Sequence, residues 1–128
     1  MWLCTGEECL TDEDKLVASR AASQGVAVQY EEYEAMPHCF AMLMPFVPTA
    51  DRCLRSWGDF CRRAVEEPES MKLSGRYIQA KTGAEQEVEV EKVSSLSLEE
   101  ARKLMAEAKA RRIKGYEKEG KGMPKPAL

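Results

Sequence analysis

Residues 1–33, MWLCTGEECL TDEDKLVASR AASQGVAVQY EEY, decide the fold. Met1 to Thr5 is a short apolar run closed by Gly6, the pattern of a buried strand. Thr11 and Asp12 open an acidic first turn, and Leu16, Val17, Ala21 and Ala22 continue at helical spacing until Gly25 supplies a C-terminal stop. Val26, Val28 and Tyr30 then alternate with Ala27, Gln29 and Glu31, which predicts a second strand to about Tyr33. Strand, helix and strand in this span make a β-α-β unit, whose strands run parallel through a right-handed crossover. The expected class is α/β. Parallel sheets are covered on both faces, so more must be packed against these two strands.

Outward from that unit, the loop Met36-Pro37-His38-Cys39-Phe40 leads to a short apolar turn and Pro48. From Thr49 a helix is expected, because Ala50, Cys53, Leu54, Trp57, Cys61, Ala64 and Val65 fall on one stripe. Arg76 to Lys81 and Glu87 to Val93 read as two strands joined through Thr82-Gly83, with one wet face. Ser97 stands three residues before Glu100, a capping-box spacing that predicts a helix from Leu98 to about Lys114. These elements divide the chain into a main α/β part over 1–67, a C-terminal extension of hairpin plus helix over 68–115, and a flexible basic tail over 116–128.

Composition narrows the function. Of 128 residues, 44% are apolar and 32% charged, in the range of a folded globular domain. A net charge of −3 gives no general attraction to phosphate backbones, so nucleic acid is not expected as the main partner. The basic run Lys109, Arg111, Arg112, Lys114 and Lys118 reads as a solvated helix face. The longest apolar stretch, Cys39 to Val47, is too short to span a membrane and contains Pro45. Five cysteines, Cys4, Cys9, Cys39, Cys53 and Cys61, form an odd set without C-x-x-C spacing, the usage of reduced thiols in a cytoplasmic-type protein. With a single histidine and scattered cysteines, the spacing does not suit a zinc site, and no metal is expected.

The chemistry concentrates around His38. It follows a parallel strand, and catalytic groups in open parallel sheets gather beyond the carboxyl ends of strands. Glu7, Glu8 and Asp12 follow the first strand at the same sheet edge, so a carboxylate can reach His38 across neighbouring loops. An acid and a histidine on adjacent strand ends are what a Ser-His-acid triad requires, the carboxylate holding the imidazole tautomer and stabilising its charged form. Met36, Met42, Met44, Phe40 and Phe46 cluster nearby in sequence, as core residues or as the lining of an acyl pocket. Cys9 and Cys39 flank the acid and the histidine, but nothing in the sequence marks either as an activated thiol.

Three stretches carry a family resemblance: Gly6-Glu7-Glu8-Cys9-Leu10-Thr11-Asp12-Glu13, the passage Gln24-Gly25-Val26-Ala27-Val28, and Tyr33-Glu34-Ala35-Met36-Pro37-His38-Cys39-Phe40. Together they resemble the C-terminal part of α/β-hydrolases of the hormone-sensitive-lipase-like group (fold-3 type), especially fungal esterase-like and lipase-like members. The resemblance covers about Met1 to Val65. It implies Glu8 as triad acid in a G-x-[DE]-x-L-x-[DE] context, Asp12 as a supporting residue at the helix start, and His38 as triad histidine in an H-x-F context. It also implies acyl-enzyme hydrolysis of an ester-type small molecule with neither metal nor organic cofactor.

The resemblance is incomplete. The nucleophile elbow G-x-S-x-G and the glycine-rich oxyanion loop, which precede the acid in the family's chain order, occur nowhere in the sequence. A triad histidine without a serine has nothing to activate, so the chain alone is expected to be inactive. The abrupt start at a core strand suggests that Met1 is internal to a truncated or remnant gene product. Such a fragment leaves a sheet edge exposed to pairing with another chain. The alternative class is a non-catalytic protein-interaction domain derived from a hydrolase.

Overall fold

A computed structural model describes residues 1–118; the rest of the expected basic tail lies outside the described residues. Two compact units emerge, Met1–Ser95 and Leu96–Leu128. The first holds β1 (Trp2–Gly6), α1 (Thr11–Ser23), β2 (Gln29–Tyr33), the single turn α2 (Phe40–Leu43), α3 (Pro48–Glu66), β3 (Ser74–Ile78) and β4 (Glu85–Glu87). The second holds α4 (Leu98–Lys118).

The four strands form one sheet in the order β1-β2-β3-β4. β1 pairs in parallel with β2, with Trp2 opposite Gln29 and Gly6 opposite Tyr33. The class is α/β. α1 ends where expected: Gly25 takes a φ of +82°, and the N–H groups of Gly25 and Val26 donate to the carbonyls of Ala22 and Ala21 at 2.9 and 3.1 Å. Glycine adopts that left-handed conformation without steric cost, and the two bonds satisfy carbonyls the helix end would otherwise leave open.

β3 and β4 pair antiparallel as the expected hairpin, with Ile78 opposite Glu85, and the hairpin extends the sheet. β3 lies parallel to β2, with Gln29 opposite Ser74 and Tyr33 opposite Ile78, so α3 is itself the crossover of a second β-α-β unit. Its N–H and C=O groups complete the row that β2 leaves open on that side. β3 begins two residues earlier than the alternation predicts, and β4 is shorter and ends before the valines. The cause is packing. Val90 is buried with Ala18, Ala22, Val28 and Tyr30 on the α1 face of the sheet, and Ser19 Oγ donates to the Glu91 carbonyl at 2.7 Å. The Val88 N–H still donates to the Gly75 carbonyl at 3.0 Å, and the chain then turns into a short 3-10 turn at Val90–Lys92.

The opposite face is covered by α2 and α3, where Tyr33 and Ile78 pack with Phe40, Ala50 and Cys53. Only the first half of the α3 stripe finds cover: Leu54, Trp57 and Val65 remain exposed. Glu31, 1% exposed beneath this helix, accepts hydrogen bonds from Tyr33 Oη at 2.7 Å and Ser56 Oγ at 2.6 Å. Buried carboxylates persist when so satisfied.

α4 starts with the expected capping box. The Ser97 N–H and Oγ–H both donate to Glu100 Oε2, at 2.8 and 2.6 Å, and the Glu100 N–H donates back to Ser97 Oγ at 3.2 Å. Among the described residues no helix is long and apolar enough to cross a membrane.

One glycine permits the Val90 insertion. A Cβ on buried Gly75 would stand 2.5 Å from the Val88 carbonyl oxygen and 2.8 Å from a Val90 methyl. Gly75→Ala is therefore expected to destabilise the Met1–Ser95 unit by about 1–3 kcal/mol. Urea unfolding followed by far-UV circular dichroism checks it, and an unchanged midpoint would contradict the packing.

Candidate active site

Gly6 ends β1 and Tyr33 ends β2 at the same edge of the sheet, because the two residues are register partners. The chain leaves Gly6 through the loop carrying Glu8 and leaves Tyr33 through the loop carrying His38. The two loops meet. His38 Nδ1 and Glu8 Oε2 lie 2.6 Å apart. An ionised carboxylate only accepts hydrogen bonds, so the short contact calls for a proton on Nδ1. That leaves Nε2 as the ring nitrogen able to take up a proton. The Glu8 side chain is 9% exposed and that of His38 60%, so the acid is shielded while the imidazole faces outward.

Local chemistry holds each side of the pair. The single Thr11 Oγ1 proton is shared between the carbonyls of Gly6 at 2.6 Å and Glu8 at 2.9 Å, and the oxygen accepts from the Glu8 N–H at 3.0 Å. The threonine thus binds the acid loop to the start of α1. On the histidine side, Ala35 and Cys39 take left-handed φ values of 55° and 57° without being glycine. Such residues cost on the order of 1–3 kcal/mol each and gather where a chain must turn sharply to present a group. Phe40 offsets part of this: it is buried against Tyr33 with ring centroids 5.0 Å apart, a burial that contributes roughly 1.5–3 kcal/mol.

Asp12, the residue assigned to support the acid, is exposed in the first turn of α1. Asp14 instead borders the site, alongside Glu8 and His38. It shares its helix face with buried Ala18 and Ala22, four and eight residues on, and an acid on an inward helical stripe was the sequence signal for it. Thr11 carried no comparable signal, since its hydrogen bonds depend on the path of the loop. Cys9 is exposed, and Cys39 serves the left-handed turn.

A cavity of about 340 Å³ opens beside the pair. Its wall is mainly apolar, including Trp2, Phe40, Met42, Leu54 and Trp57. Of the methionines and phenylalanines near His38 in sequence, Phe40 and Met42 reach this wall, while Met36 and Met44 pack against the core. Phe46 is exposed elsewhere. Trp2 and Trp57 stack with centroids 6.1 Å apart, joining β1 to α3. An apolar cavity next to a polarised histidine is suited to hold the hydrocarbon part of a small molecule near a proton acceptor.

Comparison with known proteins gives a partial match. The carboxylesterase/phospholipase LipF of Mycobacterium tuberculosis, in strains H37Rv and CDC 1551, is 33% identical over 63 residues. The matched stretch is 49% of this chain but 17% of the length of those relatives. No protein-family model matches the chain, and no solved structure matches it significantly.

Two substitutions test the site's construction. A Cβ at Gly6 would run into the backbone carbonyl of Met36, in the loop that leads to His38. Gly6→Ala is expected to cost about 1–3 kcal/mol in urea unfolding and to shift the His38 ring signals in NMR spectra as the loop moves. The second concerns Asp14, whose carboxyl is raised above its ordinary 3.8 by burial, with a hydrogen bond from Thr5 opposing and the Glu8 charge adding to the rise. The folded state therefore binds this proton more tightly than the unfolded chain. Asp14 favours folding at low pH, and that contribution is lost as pH rises from 3.8 through the raised folded value. Asp14→Asn should have the higher urea midpoint at neutral pH, with the gap closing toward acid; a wild type more stable than the variant at pH 7 would refute the buried-acid assignment.

Proposed function

We propose that this chain contributes the acid and base of a serine-dependent carboxylester hydrolase of the α/β-hydrolase type, the lipase/esterase group. The carrying observation is the 2.6 Å contact between Glu8 Oε2 and His38 Nδ1 at the carboxyl edge of parallel strands. The partial match to a carboxylesterase/phospholipase supports the same reading. In this reaction Glu8 fixes the imidazole tautomer. His38 Nε2 takes the proton of a serine hydroxyl as the oxygen attacks the ester carbonyl, then gives it to the departing alkoxide. Water repeats the cycle on the acyl-enzyme with His38 again as base. The cavity beside the pair receives an apolar portion of the ester, and no cofactor is required. Asp12 supports the start of α1 through its favourable position at the helix N-terminus.

The serine and its oxyanion donors belong to residues outside this chain, since no G-x-S-x-G occurs in it. The chain by itself is accordingly inactive in ester hydrolysis. A second reading, a protein-interaction role, is favoured by one observation: β1 is an edge strand of the sheet and has exposed or half-buried apolar residues beside it.

The test is fluorophosphonate labelling of the native protein combined with its intact mass. The expected product is larger than 14.4 kDa, reacts at a serine, and hydrolyses a p-nitrophenyl ester. His38→Ala should lower kcat by about 10³-fold or more with a small change in KM. Full activity in His38→Ala would sink the assignment, and an unreactive native protein of 14.4 kDa would favour the interaction role.

A further inference from the structure

Cys4 and Cys53 come from different elements, 49 residues apart, yet their sulfurs stand 3.7 Å from one another. Cys4 lies on β1 and Cys53 on α3, and both border the cavity. Cys53 is otherwise buried, 1% exposed, so the cavity is its route to solvent. Of the other cysteines, Cys9 and Cys61 are exposed, and Cys39 reaches the same cavity from the histidine turn. We infer that Cys4 and Cys53 form a reversible disulfide in the cavity wall when the protein meets a small peroxide.

As thiols, the two sulfurs share a hydrogen bond that runs in either direction. When one ionises, Cys53 carries the charge. The Cys4 S–H then donates to it and the Arg52 guanidinium favours the anion, against the cost of burial and the Glu31 charge. Cys4 is correspondingly held in its protonated form by that hydrogen bond and by burial. The roles divide accordingly: Cys53 attacks and Cys4 resolves. The Cys53 thiolate displaces hydroxide from the peroxide O–O bond and becomes a sulfenic acid. Cys4 sulfur attacks that sulfenic sulfur, the S–O bond breaks, and the Cys4 proton leaves with the hydroxyl as water. Two thiols are oxidised, one peroxide is reduced, and two waters are released. The sulfurs close from 3.7 Å to about 2.0 Å, drawing α3 toward β1 and narrowing the cavity. The inference is independent of the ester-hydrolysis reading, since it uses neither Glu8, His38 nor a serine.

The test uses the full chain carrying Cys9→Ser, Cys39→Ser and Cys61→Ser, first checked for native circular dichroism. After hydrogen peroxide and denaturing alkylation with N-ethylmaleimide, intact mass should show no adduct. Dithiothreitol treatment before alkylation should restore both adducts. A non-reduced peptide map should join the Cys4 and Cys53 peptides, and in the wild type these two should lose alkylation before Cys9, Cys39 and Cys61. Two adducts persisting after peroxide would overturn the inference. So would a dimer linked between chains, or sulfinic acid at Cys53 with Cys4 still free.

Discussion

Everything in the first unit depends on the parallel register between β1 and β2. Setting Gly6 opposite Tyr33 makes both strands end at one line, so the two loops that follow must start side by side. The crossover through α1 makes this arrangement accessible to consecutive strands, and the glycine at the end of β1 lets the Met36 backbone close over it. Were the strands antiparallel, the loops would emerge at opposite ends of the sheet, and a two-residue reach from Gly6 to Glu8 could not meet His38.

The two faces of the sheet are finished to different degrees. On the α1 side, Val90 arrives from beyond β4 and completes a small cluster around Tyr30 and Val28. On the other side, α3 covers Tyr33 and Ile78 with its first turns and then runs past the sheet, leaving Trp57 and Leu54 half exposed. The cavity occupies the place where that cover ends. Chemistry and incomplete packing coincide there: the acid, the histidine, the apolar wall and the paired thiols all border the same space.

Several buried or strained features of this unit have polar or packing partners close by in the fold. Glu31 is held by two hydroxyls, and the acid loop by the hydroxyl of Thr11. The left-handed turn at Cys39 is anchored through Phe40. Together these contacts fix the two loops that bring Glu8 and His38 to 2.6 Å. The stretch matched to the carboxylesterase/phospholipase relatives spans 17% of their length.

By itself the sequence determined the α/β class, the β-α-β order, the Gly25 stop, the Ser97 and Glu100 capping box, and the presence of Glu8 and His38 in successive strand-end loops. These are local: each follows from periodicity, capping chemistry or glycine conformation within a few residues. The tertiary structure decided the rest. That the β3-β4 hairpin joins β2 depends on open backbone groups at β2 and on where α3 delivers the chain. That β4 stops before Val88 depends on Val90 finding a cluster contributed by α1 and β2. Asp14 at the site, Thr11 as the loop clamp, and Cys4 against Cys53 depend likewise on contacts between segments distant in sequence or on the path of a loop. Patterns within one element carry the signal of that element, but burial and reach between elements exist only once the sheet has been assembled.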